Sequence, residues 1–519
     1  METELKLQID PGDIPILRRH LDRTKGARST PSQLLVSIYF DTPDLLLSRH
    51  GCGLRVRKTR QGWTQTLKRS RKETAGLYER DEWESPVKGP SPEPMTLAGL
   101  VEREGKLSRF LTSIDHAGQL APIFHMSIRR KIWHILTAQG DEMELALDQG
   151  VIEAGTARRS VHELEFELKA GNPAALFDMA LALQLEIGLR VSNQSKAGIG
   201  YGLYAPQSSP AIKNKPVHLP STVSQTEAIR IIVGNCLEQI RSNEIGVVHE
   251  AEPEYVHQMR IGLRRLRLAL DMFKKIAPHS DELQKDLEWV AAALGRTRNW
   301  EVLAFGTLAT VRHAFADESE WKALDIAARN AAARHRRHAA RVIGSKRYAR
   351  LLLRLGQWLE SQQAGPAAQH GQDASSWHTS WTSIGKFSSR ILDRYRRRLQ
   401  RRGDALAGSN SLALHRVRIA AKKLRYATEF LCSVHAPRKG RSRTGPLSEL
   451  LSTLGTFNDI SCAGGLLCEL AKLDPQVTKG ACFARGYLAS HAEMSERKVT
   501  RIWRRFSHDD PKLRENGKT

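Results

Sequence analysis

Charge recurs at every second residue in stretch after stretch between Met1 and Lys169, and this period restricts the fold of the 519-residue chain more than any other feature. It begins at once: Glu2, Glu4 and Lys6 alternate with Thr3, Leu5 and Leu7. Successive side chains of a β-strand point to opposite faces, so the three charges share one face. Charges placed in an apolar core are costly. Two carboxylates and an amine on one face suit either a solvated edge strand or a polar cavity that holds a cation beside an anion. Carboxylates are hard oxygen ligands of the kind that Mg²⁺ or Mn²⁺ takes.

The same period returns down the N-terminal part. Leu34–Tyr39 is an apolar, β-branched strand, followed by Phe40-Asp41-Thr42-Pro43. Arg55 and Arg57 share one face of Gly53–Lys58; Thr64, Thr66 and Lys68 share one face of Trp63–Lys68. Tyr78–Glu84 groups Arg80, Glu82 and Glu84. Met126–Leu136 groups Ser127, Arg129 and Lys131; Glu142–Asp148 groups Glu142, Glu144 and Asp148. His162–Lys169 sets Glu163, Glu165 and Glu167 against Leu164, Phe166 and Leu168. About eight strands with charged faces, some basic and some acidic, predict an antiparallel sheet closed into a barrel around one polar tunnel. Acids there gather a divalent cation and bases surround a phosphate chain, an arrangement suited to phosphoryl transfer. Glu82 and Glu167 also fit a plainer role, as ion-pair partners across the tunnel wall. His20, His116, His125, His134 and His162 are expected at the surface, and Trp63 and Trp83 in the packing outside the barrel.

Glu2-x-Glu4-x-Lys6, Tyr39-Phe40-Asp41-Thr42, Leu54-Arg55-Val56-Arg57, Thr66-Leu67-Lys68, Arg129-Arg130-Lys131 and Glu163-x-Glu165-x-Glu167-x-Lys169, in this order, resemble the CYTH domain of the triphosphate tunnel metalloenzymes. The resemblance covers residues 1–204. It implies an eight-stranded antiparallel tunnel with flanking helices and Mg²⁺- or Mn²⁺-dependent chemistry on triphosphates. By position it implies metal binding by Glu2, Glu4, Glu163, Glu165 and Glu167. It implies phosphate binding by Arg55, Arg57, Lys68, Arg80, Arg129, Lys131 and Lys196, and a catalytic set of Lys6, Glu144 and Asp148. No aromatic clamp interrupts the charged set, which favours an inorganic triphosphate over one carrying an organic group.

Residues 204–222 contain Pro206, Pro210, Pro216 and Pro220, and residues 205–222 read as a linker. Beyond it the period becomes helical. The charge is also divided here: residues 1–210 hold 28 Lys and Arg against 26 Asp and Glu, which leaves 22 of the net +24 to residues 211–519. Such an excess calls for a polyanion. His257-Gln258-Met259-Arg260-Ile261-Gly262-Leu263-Arg264-Arg265-Leu266-Arg267 recurs in register as His415-Arg416-Val417-Arg418-Ile419-Ala420-Ala421-Lys422-Lys423-Leu424-Arg425. On a helix, His257, Arg260, Arg264 and Arg267 form one stripe, and His415, Arg418, Lys422 and Arg425 another, each backed by apolar residues. Like charges at these spacings repel by about 0.2–0.5 kcal/mol per pair, and a bound polyanion removes that cost.

This repeat resembles the CHAD domain, over residues 223–506, with halves at about 223–360 and 381–506. The resemblance implies a helical domain of two like halves that binds polyphosphate, with the paired bases Arg264-Arg265 and Lys422-Lys423 in the site. One departure is Arg298-Asn299, where an Arg-Asp pair is usual; the second half keeps Asn458-Asp459. Residues 362–380 read as a loop, Arg394–Arg402 is the densest basic run, and residues 507–519 are expected to be a disordered tail.

The six cysteines show no metal or disulfide spacing, the N-terminus is no signal peptide, and no apolar run spans a membrane. The expected protein is α+β and cytoplasmic, with polyphosphate granules a place to look for it. Its expected function is metal-dependent hydrolysis of inorganic triphosphate, with polyphosphate bound by the helical domain. The rivals are a non-catalytic polyphosphate-binding protein and an adenylate cyclase or organic triphosphatase. The basic stripes carry no interleaved aromatics, which argues against nucleic acid.

Overall fold

The structure is a computed structural model and describes residues 2–59, 62–74, 76–101, 105–116, 120–206, 210–362, 384–406, 411–434 and 445–509. The chain forms two compact units: residues 1–210 with 344–364, and residues 211–343 with 365–519.

The first unit is built on ten strands: β1 (Glu2–Ile9), β2 (Ala27–Ser29), β3 (Gln33–Asp41), β4 (Cys52–Thr59), β5 (Gly62–Thr74), β6 (Leu77–Val87), β7 (Ala121–Leu136), β8 (Glu142–Ala154), β9 (Ala157–Ala170) and β10 (Leu189–Val191). Eight of them run in the order β1-β6-β5-β4-β3-β7-β8-β9, all antiparallel, and β9 pairs again with β1 to close the barrel. Closure pairs Glu4 with Glu167, Lys6 with Glu165 and Gln8 with Glu163. That register turns the charged residues of both strands inward and sends Leu5, Leu7, Leu164 and Phe166, all fully buried, to the outer side.

Helices cover the apolar exterior. Pro94–Leu100 and Lys106–His116 pack Leu97, Ala98 and Leu111 on Leu54, Val56 and Leu67, with Trp63 and Trp83 at the margin as the sequence led us to expect. One end of the bore is apolar: the helix Lys196–Tyr204 places Ile199 against Tyr39, Phe124, Met126, Ile128 and Ile152. Gly200 allows the approach, since a Cβ there would lie 2.3 Å from the Phe124 ring. Asp41 accepts hydrogen bonds from the backbone N–H of Thr42, Leu47 and Ser48, so this motif residue organises a turn.

The helix Lys346–Ser361 lies far downstream yet belongs to this unit. Its Gly356 meets the Phe177 ring, and its Arg350 and the Lys346 carbonyl hydrogen-bond Gln184. Within the sequence-derived first CHAD half, this helix is the part that packs elsewhere.

The second unit is helical throughout its described residues from Gln225 onward. The hairpin Gln225–Arg241/Pro253–Phe273 is followed by Asp281–Val302 and Glu318–Ile343; the hairpin Ile384–Asp404/Ser411–Leu431 is followed by Gly445–Leu473 and Thr478–Asp509. The order repeats as the sequence repeat does. The expected linker is extended but anchored: Ile212 exchanges two hydrogen bonds with the Asn243 amide, Leu219 N–H donates to Ser433, and Val217 and Leu219 are buried. The 362–380 loop falls, past Gln362, outside the described residues. So does the expected tail beyond Asp509. No described helix is long and apolar enough to cross a membrane.

Gly356→Val puts a branched side chain into the Phe177 ring, 2.2 Å from where the Cβ would sit. It is expected to destabilise the barrel unit by about 1–3 kcal/mol, read as an earlier thermal transition together with weaker retention of barrel near-ultraviolet circular dichroism.

Candidate functional site

Alternation along the barrel strands brings the inward charges to one cavity of about 210 Å³. Among the described residues its wall carries seven bases, Lys6, Arg55, Arg57, Lys68, Arg80, Arg130 and Lys196. It also carries seven acids, Glu2, Glu4, Glu82, Glu144, Asp148, Glu165 and Glu167. Balanced charge is what allows so many ions under one roof.

The pairs interlock. Lys6 bridges Glu4, at 2.8 Å, and Glu165; Arg80 donates to the other oxygen of Glu4 at 2.8 Å. Lys68 holds Glu2 and Glu82, each at 2.8 Å, and Glu82 also faces Arg55. Lys196, at the N-terminus of its helix, reaches Asp148 at 2.8 Å, Glu163 at 2.7 Å and Glu165 at 2.8 Å. Arg130 grips Asp148 with a two-pronged contact at 2.6 and 2.7 Å and also touches Glu165. Burial alone would lower the pKa of Lys6, Arg130 and Lys196, but the carboxylates around them win and hold all three above their ordinary values. Burial alone would raise Glu165 and Asp148; Lys196, with Lys6 and Arg130 for the first and Arg130 for the second, holds both below the usual carboxylate range.

Arg57 stands apart. Its Nε donates to Ser37 Oγ at 3.0 Å, and among the described residues no carboxylate pairs with it. Burial and then the neighbouring Arg55 push its pKa down to about 10. A guanidinium in that position gains from any anion that reaches it.

Most of the expected site residues meet here, and three do not. Arg129 is exposed, and Lys131 lies outside, near Asp22 and over the Trp133 ring. The residue that enters the cavity from β7 is Arg130. Both bases share a face with Trp133, which is fully buried and donates to Asp22 of the helix Ile14–Arg23. A covered aromatic fixes that face as the outer one. The inner face carries Met126 and Ile128 beside Arg130, so its apolar residues mimicked a core face. Glu163 is 2% exposed, lies behind Lys196 and does not line the cavity. Asp148 lines it but is fully engaged by Arg130 and Lys196, so it positions those bases. Glu144 lines the wall beside His134 and Lys169, and Glu167 holds Lys169 at 2.6 Å.

The helical unit contains a second cavity, about 720 Å³, where the repeated helices Pro253–Phe273 and Ser411–Leu431 face each other. Arg260, Arg264, Arg267, His415, Arg418, Lys422 and Lys423 of the expected residues line it, and Lys274 and His279 join them. Asp271 is the single acid among the described residues of this wall; Asn299 lines it where an acid was usual. Lys274 continues the stripe one turn past Asp271 and was legible as such. Three expected residues are elsewhere. Arg265 is 1% exposed and donates to Gln239 and Asn235 at 2.8 Å, over the Phe430 ring. Arg425 pairs with Glu429 at 3.2 Å. His257 is half-buried one turn before the wall, its pKa pushed down to about 4 by burial and then by Arg298. Arg265 lies off the lining stripe, His257 lies on it but before the wall begins, and Arg425, the counterpart of Arg267, is drawn to Glu429.

This second cavity is the electrostatic opposite of the first. Burial and then Arg264, Arg418 and Arg260 push the Lys422 amine down to about 6, and burial and Arg264 push Arg260 down to about 10. The site is short of negative charge.

A closed barrel with a charge-lined bore and a twice-repeated helical array around a basic cavity define a two-module protein. The CYTH domain model matches residues 1–201 and the CHAD domain model residues 231–468. An inorganic triphosphatase of Haemophilus influenzae is 35% identical over 207 residues, 40% of this chain and 56% of that protein. The match thus spans little more than half of that relative's length. The crystal structure of the CHAD domain from the plant Ricinus communis is 32% identical, covers 57% of this chain and 97% of its own, and superposes with a TM-score of 0.51. The chain belongs to the family in which a CYTH domain is followed by a CHAD domain.

Two outcomes follow from these charges. Lys196→Met strands Asp148, Glu163 and Glu165 and is expected to destabilise the barrel unit by about 3–5 kcal/mol at neutral pH. Asp148 and Glu165 have lowered pKa values, so their stabilisation is present above the ordinary carboxylate range and fades as pH falls. The difference between variant and parent in urea melts therefore shrinks as pH falls below the ordinary carboxylate values of 3.8 and 4.5. Lys422 acts with the same sign in a higher pH window: the folded protein holds it neutral above about pH 6, whereas its ordinary value is 10.5. Between those values unfolding takes up a proton, so this group makes stability rise with pH. Lys422→Gln is expected to flatten that rise in Tm against pH.

Proposed function

We propose that the barrel hydrolyses inorganic triphosphate to diphosphate and phosphate with Mg²⁺ or Mn²⁺, and that the helical cavity binds polyphosphate. The observation that carries this reading is a cavity of seven bases and seven acids with Arg57 left unpaired by any described carboxylate. A phosphate chain with its metal is a ligand that supplies both signs: oxygens for the bases and a cation for the acids. The single aromatic among the described wall residues, Tyr39, stacks on Phe124 at 4.4 Å, and its ring is not offered to a base. That supports a substrate without an organic group.

The donor set fits the metal in kind. Glu2, Glu4, Glu165 and Glu167 are the expected carboxylates that line the cavity. Among the described residues no three acid, histidine or cysteine side chains already sit as a metal cluster, because each of these four holds a lysine. These four would hold the ion, which supplies charge neutralisation at phosphate oxygens. Loading the site therefore exchanges partners: Lys6, Lys68 and Arg80 leave carboxylates for phosphate oxygens.

Phosphoryl transfer asks a protein mainly for positioning and for neutralising charge. Arg57 and Arg55 hold one end of the chain, and Lys68, Arg80 and Lys6 hold phosphate oxygens from the neighbouring strands. Arg130 and Lys196, fixed by Asp148, stay in place through the reaction. Glu144 orients the attacking water along the line of the breaking P–O bond and takes up its proton. In the helical unit the crowded bases gain from any polyanion, and Tyr426 is the single aromatic among the described wall residues, which favours a bare phosphate chain.

Glu4→Gln keeps the shape and removes the charge that Lys6 and Arg80 share. Tripolyphosphate hydrolysis is expected to fall by about 10²-fold or more, with polyphosphate binding unchanged. Normal turnover in this variant would sink the barrel assignment. Cyclic AMP formed from ATP in place of phosphate would turn it to a cyclase.

A further inference from the structure

The helix Ile384–Asp404 carries eight bases and two acids, and the cavity does not account for them. Arg390, Arg394, Arg397, Arg398 and Arg401 are exposed, while Ile391, Leu392, Tyr395 and Leu399 are buried on the other side. Spacings of four, three to four and three to four residues make these arginines one stripe, about 16 Å long at 1.5 Å per residue. The ion pair on this helix, Asp393 with Arg396 at 3.0 Å, lies off the stripe. Among the described residues no carboxylate pairs with Arg394, Arg398 or Arg401.

Two contacts join this stripe to the rim of the basic cavity. In the middle, Tyr395 Oη donates to Asp271 Oδ2 at 3.4 Å, and Asp271, a wall residue, also takes Lys423 at 3.1 Å. The Arg394 guanidinium lies 5.1 Å from the Tyr395 ring centroid. At the end, Arg402 Nη1 donates to the Arg416 carbonyl at 2.9 Å, and Arg416 follows His415 of the wall. Burial, then Arg398, Arg416 and Arg401, hold the Arg402 pKa below its ordinary value. At Arg402 and Arg416 the positive charge of the helix thus meets that of the cavity rim, whereas in the middle Asp271 stands between them.

We propose that this helix is an external track that holds the part of a polyphosphate chain too long for the cavity, so that the helical unit binds long chains more tightly than short ones. The proposal rests on the polyphosphate reading of the cavity. A bare phosphate chain fits both places, since it threads a narrow cavity and lies along a stripe. A nucleic-acid duplex is too wide for the first, and the stripe has no exposed aromatic for a single strand to stack on. Each neutralised phosphate also relieves like-charge repulsion between arginines one turn apart.

The test uses the full chain, with Arg394, Arg398 and Arg401 all changed to Gln, and with a separate Arg264→Gln/Arg418→Gln cavity variant. Size-fractionated short and long polyphosphates are the probes, titrated at several salt concentrations. The track variant is expected to bind long chains at least about tenfold more weakly, with a salt slope shallower by about two. Its binding of short chains, tripolyphosphate hydrolysis and Tm should match the parent. Equal loss for both lengths, or no loss for either, overturns the track. Displacement of long polyphosphate by duplex DNA at equal phosphate, weakened in the same variant, also overturns it in favour of nucleic acid. A cavity variant that keeps short-chain binding overturns the underlying polyphosphate reading instead.

Discussion

Lys196 among Asp148, Glu163 and Glu165 is the contact on which the barrel depends. All four are buried or nearly so, which leaves little room for water to replace a missing partner. Buried ions persist only when paired and hydrogen-bonded, and a lost partner leaves an uncompensated charge. The helix that carries Lys196 also closes the apolar end of the bore through Ile199 and Gly200. Charge pairing and packing are therefore set by one segment. The same pairing holds the bases ordered at the cavity wall.

The two units hold charge in opposite ways. The barrel stores matched charge, with Lys6, Lys68 and Lys196 each seated on carboxylates. The helical cavity stores unmatched positive charge, with one acid on its described wall and amine and guanidinium groups pushed below their ordinary values. A matched site discriminates, because a ligand that supplies one sign leaves the other unpaired. An unmatched site attracts any polyanion and discriminates by shape. This division suits the roles proposed above, chemistry in the barrel and polymer binding in the helical unit.

Legibility in the sequence followed how local each decision was. Strand alternation put Glu2, Glu4, Lys6, Arg55, Arg57, Lys68 and Arg80 on inner faces correctly, because one residue of period decides it. On β7 the same rule grouped the residues correctly and chose the wrong group. Arg129 and Lys131 looked like the polar face, and the sign that they were not was Trp133 on their side. On the helices, the eleven-residue repeat located the basic wall, yet Arg265 and Arg425 lie off its centre. A helical stripe blurs at its edges, and neighbours such as Gln239 and Glu429 draw those side chains away.

The sequence by itself determined the two architectures, the charge division between them and the identity of nearly every cavity base, since periods of two and of 3.6 residues sort side chains without knowledge of partners. Only the tertiary structure decided which acid holds which base, because closing β1 onto β9 joins residues such as Lys6 and Glu165, 159 positions apart, in register. It alone assigned the helix Lys346–Ser361 to the barrel unit, through the fit of Gly356 against Phe177. Long-range contacts of that kind follow from shape at the meeting surface, and shape has no period for a sequence to display.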